Sequence, residues 1–164
     1  RYGIDFPESQ FYALGGMPSD KIIALLSNAQ AITLDVQRAA QEKEAAFLVY
    51  LDQLKPIESV LDVARRYRGV IPMAVASGGF RDVILRQLRQ IGCEDWFDAI
   101  VTAEDTPRHK PAPDVFLEAA RRLGQPASRC LVYEDADLGI AAAQAAQMDC
   151  VDIRPYLLAP PNGH

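Results

Sequence analysis

From Pro18 to Leu54 the apolar residues recur at helical spacing. Ile22, Ile23, Leu25 and Leu26 lie in one segment, Phe47, Leu48, Leu51 and Leu54 in a second, and alanine-rich polar sequence separates them. The stretch reads as all-helical. Lys55-Pro56 interrupts it, because proline disfavours helix at the residue before it, and a further helix carrying Val60, Leu61, Val63 and Ala64 follows. A boundary is expected near residue 55, dividing a helical unit over residues 1–55 from a larger unit over residues 56–164.

Beyond that boundary, strand-like and helix-like runs alternate. Val70 to Ala76 predicts a strand, Arg81 to Ile91 a helix ended by Gly92, and Ala99 to Ala103 a second strand. Asp114 to Leu123 predicts a helix opened by Pro113 and closed by Gly124, Cys130 to Tyr133 a strand, Leu138 to Ala146 a helix, and Cys150 to Ile153 a last strand. Alternation at this spacing predicts βαβ units and an α/β fold with a doubly wound parallel sheet. The tail from Pro155 to His164, rich in proline, is expected to be loose, and no internal repeat is present.

The chain has 164 residues, 49% of them hydrophobic, enough for one ordinary core and a small accessory piece but not two full domains. Its net charge of −5 with interspersed signs lacks the basic footprint of nucleic-acid binding. Cys93, Cys130 and Cys150 are widely spaced and unpaired by motif, as expected of reduced core thiols in a cytoplasmic protein. The longest apolar runs fall far short of the roughly 20 residues of a membrane helix, and the start carries no secretory pattern. A monomer without membrane or nucleic-acid partners is expected.

Three polar clusters follow or close apolar runs, so all three are expected along the carboxyl edge of one sheet. Ser77-Gly78-Gly79 stands where a strand gives way to a helix, placing a hydroxyl and amide N–H groups where an anion can bind. A helix cap with flexible glycines is the plainer alternative. Lys110 lies in a turn stiffened by Pro111 and Pro113, where it serves either as a fixed positive charge for phosphate or as a solvated loop lysine. Glu134, Asp135 and Asp137 bring three carboxylates within four positions after a Leu-Val-Tyr run. Hard oxygen ligands so placed suit Mg²⁺, whereas a favourable helix dipole accounts for one acid more easily than for three. Asp137 is alternatively the cap of the next helix.

At Lys110-Pro111-Ala112-Pro113-Asp114 and Val132-Tyr133-Glu134-Asp135-Ala136-Asp137-Leu138-Gly139-Ile140, in this order after Ser77, the chain resembles the haloacid dehalogenase-like phosphohydrolases. The resemblance is to the subfamily of β-phosphoglucomutase and fructose-1-phosphate phosphatase. It implies that Ser77, with Gly78 and Gly79, holds the transferring phosphoryl group, that Lys110 stabilises its charge, and that Glu134 and Asp135 position Mg²⁺. It further implies that residues 1–55 form a mobile cap over a Rossmann-like core, with Gly15-Gly16-Met17-Pro18-Ser19 as a substrate-facing loop to which Gly16 and Met17 belong. Lys43 falls near a substrate-contacting lysine of that cap.

One departure stands out. Family members begin with an apolar strand ending in Asp-x-Asp-Gly, whose first aspartate attacks phosphorus and whose second serves as general acid and base. Asp135-Ala136-Asp137 comes too late in the order to be that motif, and Thr33-Leu34-Asp35 sits in helical surroundings. The resemblance therefore implies a chain lacking the family's first strand and first cap helix, inactive as it stands, with neighbouring strands left short of a partner. Arginine rather than methionine at position 1 leads to the same expectation. Gln147 is a smaller departure, standing where relatives commonly carry glycine. The expected activity is Mg²⁺-dependent hydrolysis of a small phosphorylated sugar or similar metabolite through an aspartyl-phosphate. The alternatives are a phosphoglucomutase-like transfer or an inactive phosphate-binding protein.

Overall fold

The computed structural model describes residues 2–157. Three helices come first: α1 (Glu8–Ala13), α2 (Ser19–Ala29) and α3 (Val36–Leu48), followed by a 3₁₀ turn at Leu51–Gln53. Asp35, considered above as an unlikely nucleophile, accepts the Arg38 N–H at 3.0 Å and caps α3. An extended link over 54–57 leads to α4 (Glu58–Tyr67), β1 (Ala74–Ala76), α5 (Arg81–Gln90), β2 (Ala99–Val101), α6 (Asp114–Arg122), β3 (Leu131–Glu134), α7 (Asp137–Ala145) and β4 (Asp149–Asp152). Among the described residues no helix is long and apolar enough to cross a membrane.

The strands pair as parallel neighbours, β1 with β2 and β3 with β4, and no described strand joins β1 to β3. Alternation along β1 and β2 serves two layers of helix. Ala74, Ala76 and Val101 face a core built with Val115 and Phe116 of α6 and Ala142 and Ala143 of α7, which Val132 of β3 also enters. Val75 and Ile100 face Ile84 and Leu88 of α5 and Leu61 of α4. Burying each of these larger aliphatic side chains contributes about 1.5–3 kcal/mol. On β3 the opposite face is open, with Leu131 52% and Tyr133 39% exposed. The turn Leu51–Gln53 rests on α5 and α1 rests on α7, so helix contacts tie the helical segment to the α/β part.

Some expected elements shrink for physical reasons. The strand predicted from Val70 begins only at Ala74. Val70 and Ile71 fold back to donate to the Tyr67 carbonyl, 70% and 50% exposed, and Pro72 has no N–H for a ladder. The strand predicted through Ala103 stops at Val101, because Thr102 and Asp105 form a reciprocal capping box around a 3₁₀ turn, Ala103–Asp105. Within the tail expected to be loose, Arg154–Tyr156 form a 3₁₀ turn, and residues 158–164 lie outside the described residues.

Four helices end in one arrangement, in which the residue after the C-cap and its successor donate back into the last turn. For α5 and α6 that residue is Gly92 or Gly124, as predicted, with φ of +72° and +64°. For α2 and α7 it is Ala31 or Gln147, with φ of +54° and +58°. The side chains there sit in the left-handed region without glycine's freedom. Gln147→Gly and Ala31→Gly are each expected to raise stability by about 1 kcal/mol, read as a higher urea midpoint at unchanged slope.

Asp105 ties three elements together. It accepts from Arg122 at 2.6 Å, from the Thr102 N–H at 2.7 Å and hydroxyl at 2.9 Å, and from Arg81. Burial alone raises the pKa of its carboxyl, but these donors and the arginine charges outweigh burial and hold it well below the ordinary aspartate value. A carboxyl depressed on folding stabilises fully above its unfolded pKa of about 3.9, and that contribution is lost as pH falls toward the folded value. Urea unfolding measured from pH 7 to 2 should therefore show a stability loss below about pH 4 that is flatter in Asp105→Asn.

Candidate active site

Ser77 extends the β1 ladder by one bond, its N–H donating to the Val101 carbonyl at 2.9 Å. The next turn closes on itself, since the Gly79 N–H donates to Ser77 Oγ at 3.0 Å and the Gly79 carbonyl accepts from Ala103 N–H at 3.1 Å. The first amide of α5, on Arg81, donates to both oxygens of Glu104 at 2.9 and 3.2 Å. Two N–H groups expected to be open to an anion are thus already occupied. Gly78 and Phe80 retain amides without a hydrogen bond among the described residues. Ser77 Oγ, used here as an acceptor, keeps its own proton to donate.

Gly78 is glycine for lack of space: a Cβ there would lie 2.0 Å from the Gly16 carbonyl oxygen. A Cβ on Gly16 would in turn lie 3.0 Å from Cδ of Lys110. The loop before α2 therefore sits between the Ser77 turn and Lys110, touching both.

Lys110 is not the open loop ammonium that its position suggested. Its side chain is 5% exposed, and Nζ donates to Glu134 Oε2 at 2.8 Å, with Glu134 itself 9% exposed. The ammonium also stands 4.8 Å from the centre of the Phe116 ring. Oε1 of Glu134 accepts the Ala136 N–H at 3.3 Å, at the positive end of α7. Gly139 makes room for this, because a Cβ there would lie 2.0 Å from Cδ of Glu134.

The remaining acids divide by partner. Asp137 lies in the first turn of α7 rather than at its N-cap, which is Ala136, and pairs with Arg154 at 2.7 Å. Arg154 also clasps Asp152 at 2.6 Å, and the two carboxylates push its guanidinium pKa above the usual value. Asp135 is exposed and has no hydrogen bond among the described residues. No described group of three His, Cys, Asp or Glu side chains converges on a point. The donor set still fits Mg²⁺, which takes one or two carboxylates and completes its shell with water and phosphate oxygens.

A cleft of about 240 Å³ opens beside the Ser77 turn. Ser77, Gly78 and Gly79 line it together with Gly16, Met17 and Lys43. The predicted phosphate-loop and cap residues thus share one cavity. Lys110, Glu134 and Asp135 do not line it, and Lys110 meets its lining at Gly16. A larger hollow of about 430 Å³ lies among apolar residues of the helical segment and carries little charge for a phosphate besides Lys43. Sequence reasoning placed Ser19 in the loop that lines the cleft but missed Glu104 as the cap of α5, Phe116 beneath the ammonium, and Glu44 and Gln87 on the cleft walls. Of these only Glu44 carried a signal, its place beside Lys43.

Residues 3–147 match the family model described as haloacid dehalogenase-like hydrolase. The chain belongs to the haloacid dehalogenase-like hydrolases, on the phosphatase side of that family. It is 40% identical to fructose-1-phosphate phosphatase YqaB of Escherichia coli over 93% of this chain and 81% of that protein. It is also 25% identical to a phosphorylated carbohydrates phosphatase of Thermotoga maritima, over 90% of this chain and 69% of that one. Among solved structures, β-phosphoglucomutase from Clostridium difficile superposes with a TM-score of 0.78 at 26% identity, covering 92% of this chain and 70% of that one.

The buried pair makes a stability prediction. Removing one partner strands the other charge, so Lys110→Met should cost about 3–5 kcal/mol in urea unfolding. The double variant Lys110→Met with Glu134→Leu should recover much of that loss; equal losses for single and double variants would show that the stranded carboxylate is not the cause.

Proposed function

We propose that this protein hydrolyses small sugar phosphates in a Mg²⁺-dependent reaction through an aspartyl-phosphate. In this reading the nucleophilic aspartate stands on a strand not contained in these residues, and the division between β1 and β3 offers that strand a place. The observation that carries the proposal is the meeting at Gly16 of the Ser77 turn and the Lys110–Glu134 pair. The Ser77 turn, with its hydroxyl and open amides, and the ammonium paired with a carboxylate thereby meet the same loop.

Ser77 Oγ–H and the Gly78 amide bind two phosphoryl oxygens. Lys110, with two N–H groups beyond the one given to Glu134, offsets charge as the bond to the sugar oxygen breaks. Mg²⁺, held by Asp135 with Glu134, would supply further positive charge at the phosphoryl oxygens. The aspartate forms the new bond to phosphorus, the sugar oxygen leaves with a proton from the family's second aspartate, and water then cleaves the aspartyl-phosphate. Residues 1–55 act as the cap, closing over the sugar and excluding water during the first step. The reading includes a monomer in the cytoplasm. Its second form is a phosphoglucomutase-type transfer to another sugar hydroxyl, favoured by the likeness to β-phosphoglucomutase.

Calorimetric titration of fructose 1-phosphate into the 164-residue chain tests this. Binding should tighten with Mg²⁺, lose that increment in Asp135→Asn, and weaken about tenfold in Ser77→Ala, as loss of a hydrogen bond to a charged group requires. No inorganic phosphate should appear. Phosphate release would place the nucleophile within these residues, and binding indifferent to Mg²⁺ would remove the metal from the account.

A further inference from the structure

Glu44 is out of place in a cleft meant for phosphate alone. It lines the same cavity as Ser77, Gly78 and Gly79, its side chain is only 15% exposed, and a carboxylate there repels a phosphoryl group. Oε1 accepts from Ser19 Oγ at 2.5 Å and from Lys43 Nζ at 3.0 Å. Both recorded hydrogen bonds therefore fall on one oxygen, which fixes the carboxylate and partly offsets its charge. Oε2 accepts no hydrogen bond among the described residues and keeps its acceptor capacity. Gln87 of α5 lines the cavity too, half-buried and without a side-chain hydrogen bond among the described residues. Phe47 adds an apolar ring to the lining, with Lys43 Nζ 5.8 Å from its centre.

A fixed acceptor, an amide with both donor and acceptor, and an aromatic ring form a set suited to a polyhydroxylated carbon chain. The hydroxyls donate to carboxylate and amide, and the C–H face lies on the ring. We propose that Glu44 and Gln87 are specificity-determining residues that read the hydroxyls of the leaving group, with Glu44 Oε2 as the principal acceptor. The substrate class that these two residues favour is a phosphate monoester of a polyol or sugar, and hydroxyl-poor alkyl phosphates gain nothing from them. The inference rests on the phosphatase reading of the cleft and names what its cap side selects. Ser19 and Lys43 act on substrate through Glu44, by holding its other oxygen in place.

The charge at Glu44 makes the test directional. Affinities of the full chain and of Glu44→Gln for fructose 1-phosphate, ethyl phosphate and inorganic phosphate are measured by calorimetry in Mg²⁺, with thermal melts to confirm folding. Fructose 1-phosphate should bind about tenfold more weakly to the variant, since a site built to pair hydroxyls loses most when that pairing fails. Ethyl phosphate and inorganic phosphate should bind equally well or more tightly, because a repelling charge has gone. Gln87→Leu, on a different element, should repeat the selective loss. Equal losses for all three ligands, or no loss for the sugar phosphate, would overturn the inference. Failure of the phosphate-site reading looks different: inorganic phosphate and ethyl phosphate fail to bind the unaltered chain, while fructose 1-phosphate binds and still depends on Glu44.

Discussion

The rest of the structure hangs on the ion pair between Lys110 and Glu134. The strands fall into two parallel pairs with no described strand between them. Lys110 belongs to the segment after β2 in one pair, and Glu134 closes β3 in the other. Their bond joins the two halves at the carboxyl edge, while α6 and α7 join them beneath it. Burying both charges carries a desolvation cost, repaid only when each has further partners. Here Phe116 lies by the ammonium, Ala136 N–H reaches the carboxylate, and the start of α7 favours negative charge. Gly16 and Gly139 leave the room that lets both side chains lie flat.

Arginines fix the periphery around that centre. Arg122 reaches Asp105, Glu118 and the Ile100 carbonyl, and Arg81 reaches Asp105 and the same carbonyl. Among the described residues β2 pairs with β1 alone, so these guanidinium groups occupy its other edge. Arg121 and Arg122 together hold the half-buried Glu118 carboxyl down to about 2, a consequence of the density of positive charge on this side. Arg81 opens α5, so the network also holds the far end of the Ser77 turn. On the other flank Arg154 takes up Asp137 and Asp152, whereas Asp135 pairs with no cation among the described residues.

The order of helices and strands was legible because each element carries its period and its stop signal. Gly92 and Gly124 end their helices, and Pro113 opens one. Strand lengths were not, because the losses come from a missing donor at Pro72 and from a side-chain cap between Thr102 and Asp105 that no hydropathy pattern records. The motif residues were legible individually, but their pairing was not. Lys110 and Glu134 lie 24 positions apart, and neither neighbourhood says that the lysine is buried. The same holds for Glu104 over the first amide of α5, 23 positions from Arg81. Long-range polar contacts depend on the packing of helices and loops, and a local pattern does not encode that packing.

The contact of Gly78 with Gly16 is backbone on backbone. No side chain interlocks there, so parting the two loops bares almost no apolar surface and meets no rotamer barrier. Resistance to separation lies elsewhere, where α1 rests on α7 and the Leu51–Gln53 turn rests on α5. The seam at the two glycines is thus the one with least side-chain packing, and the contacts that hold the helical segment to the α/β part lie at those helices.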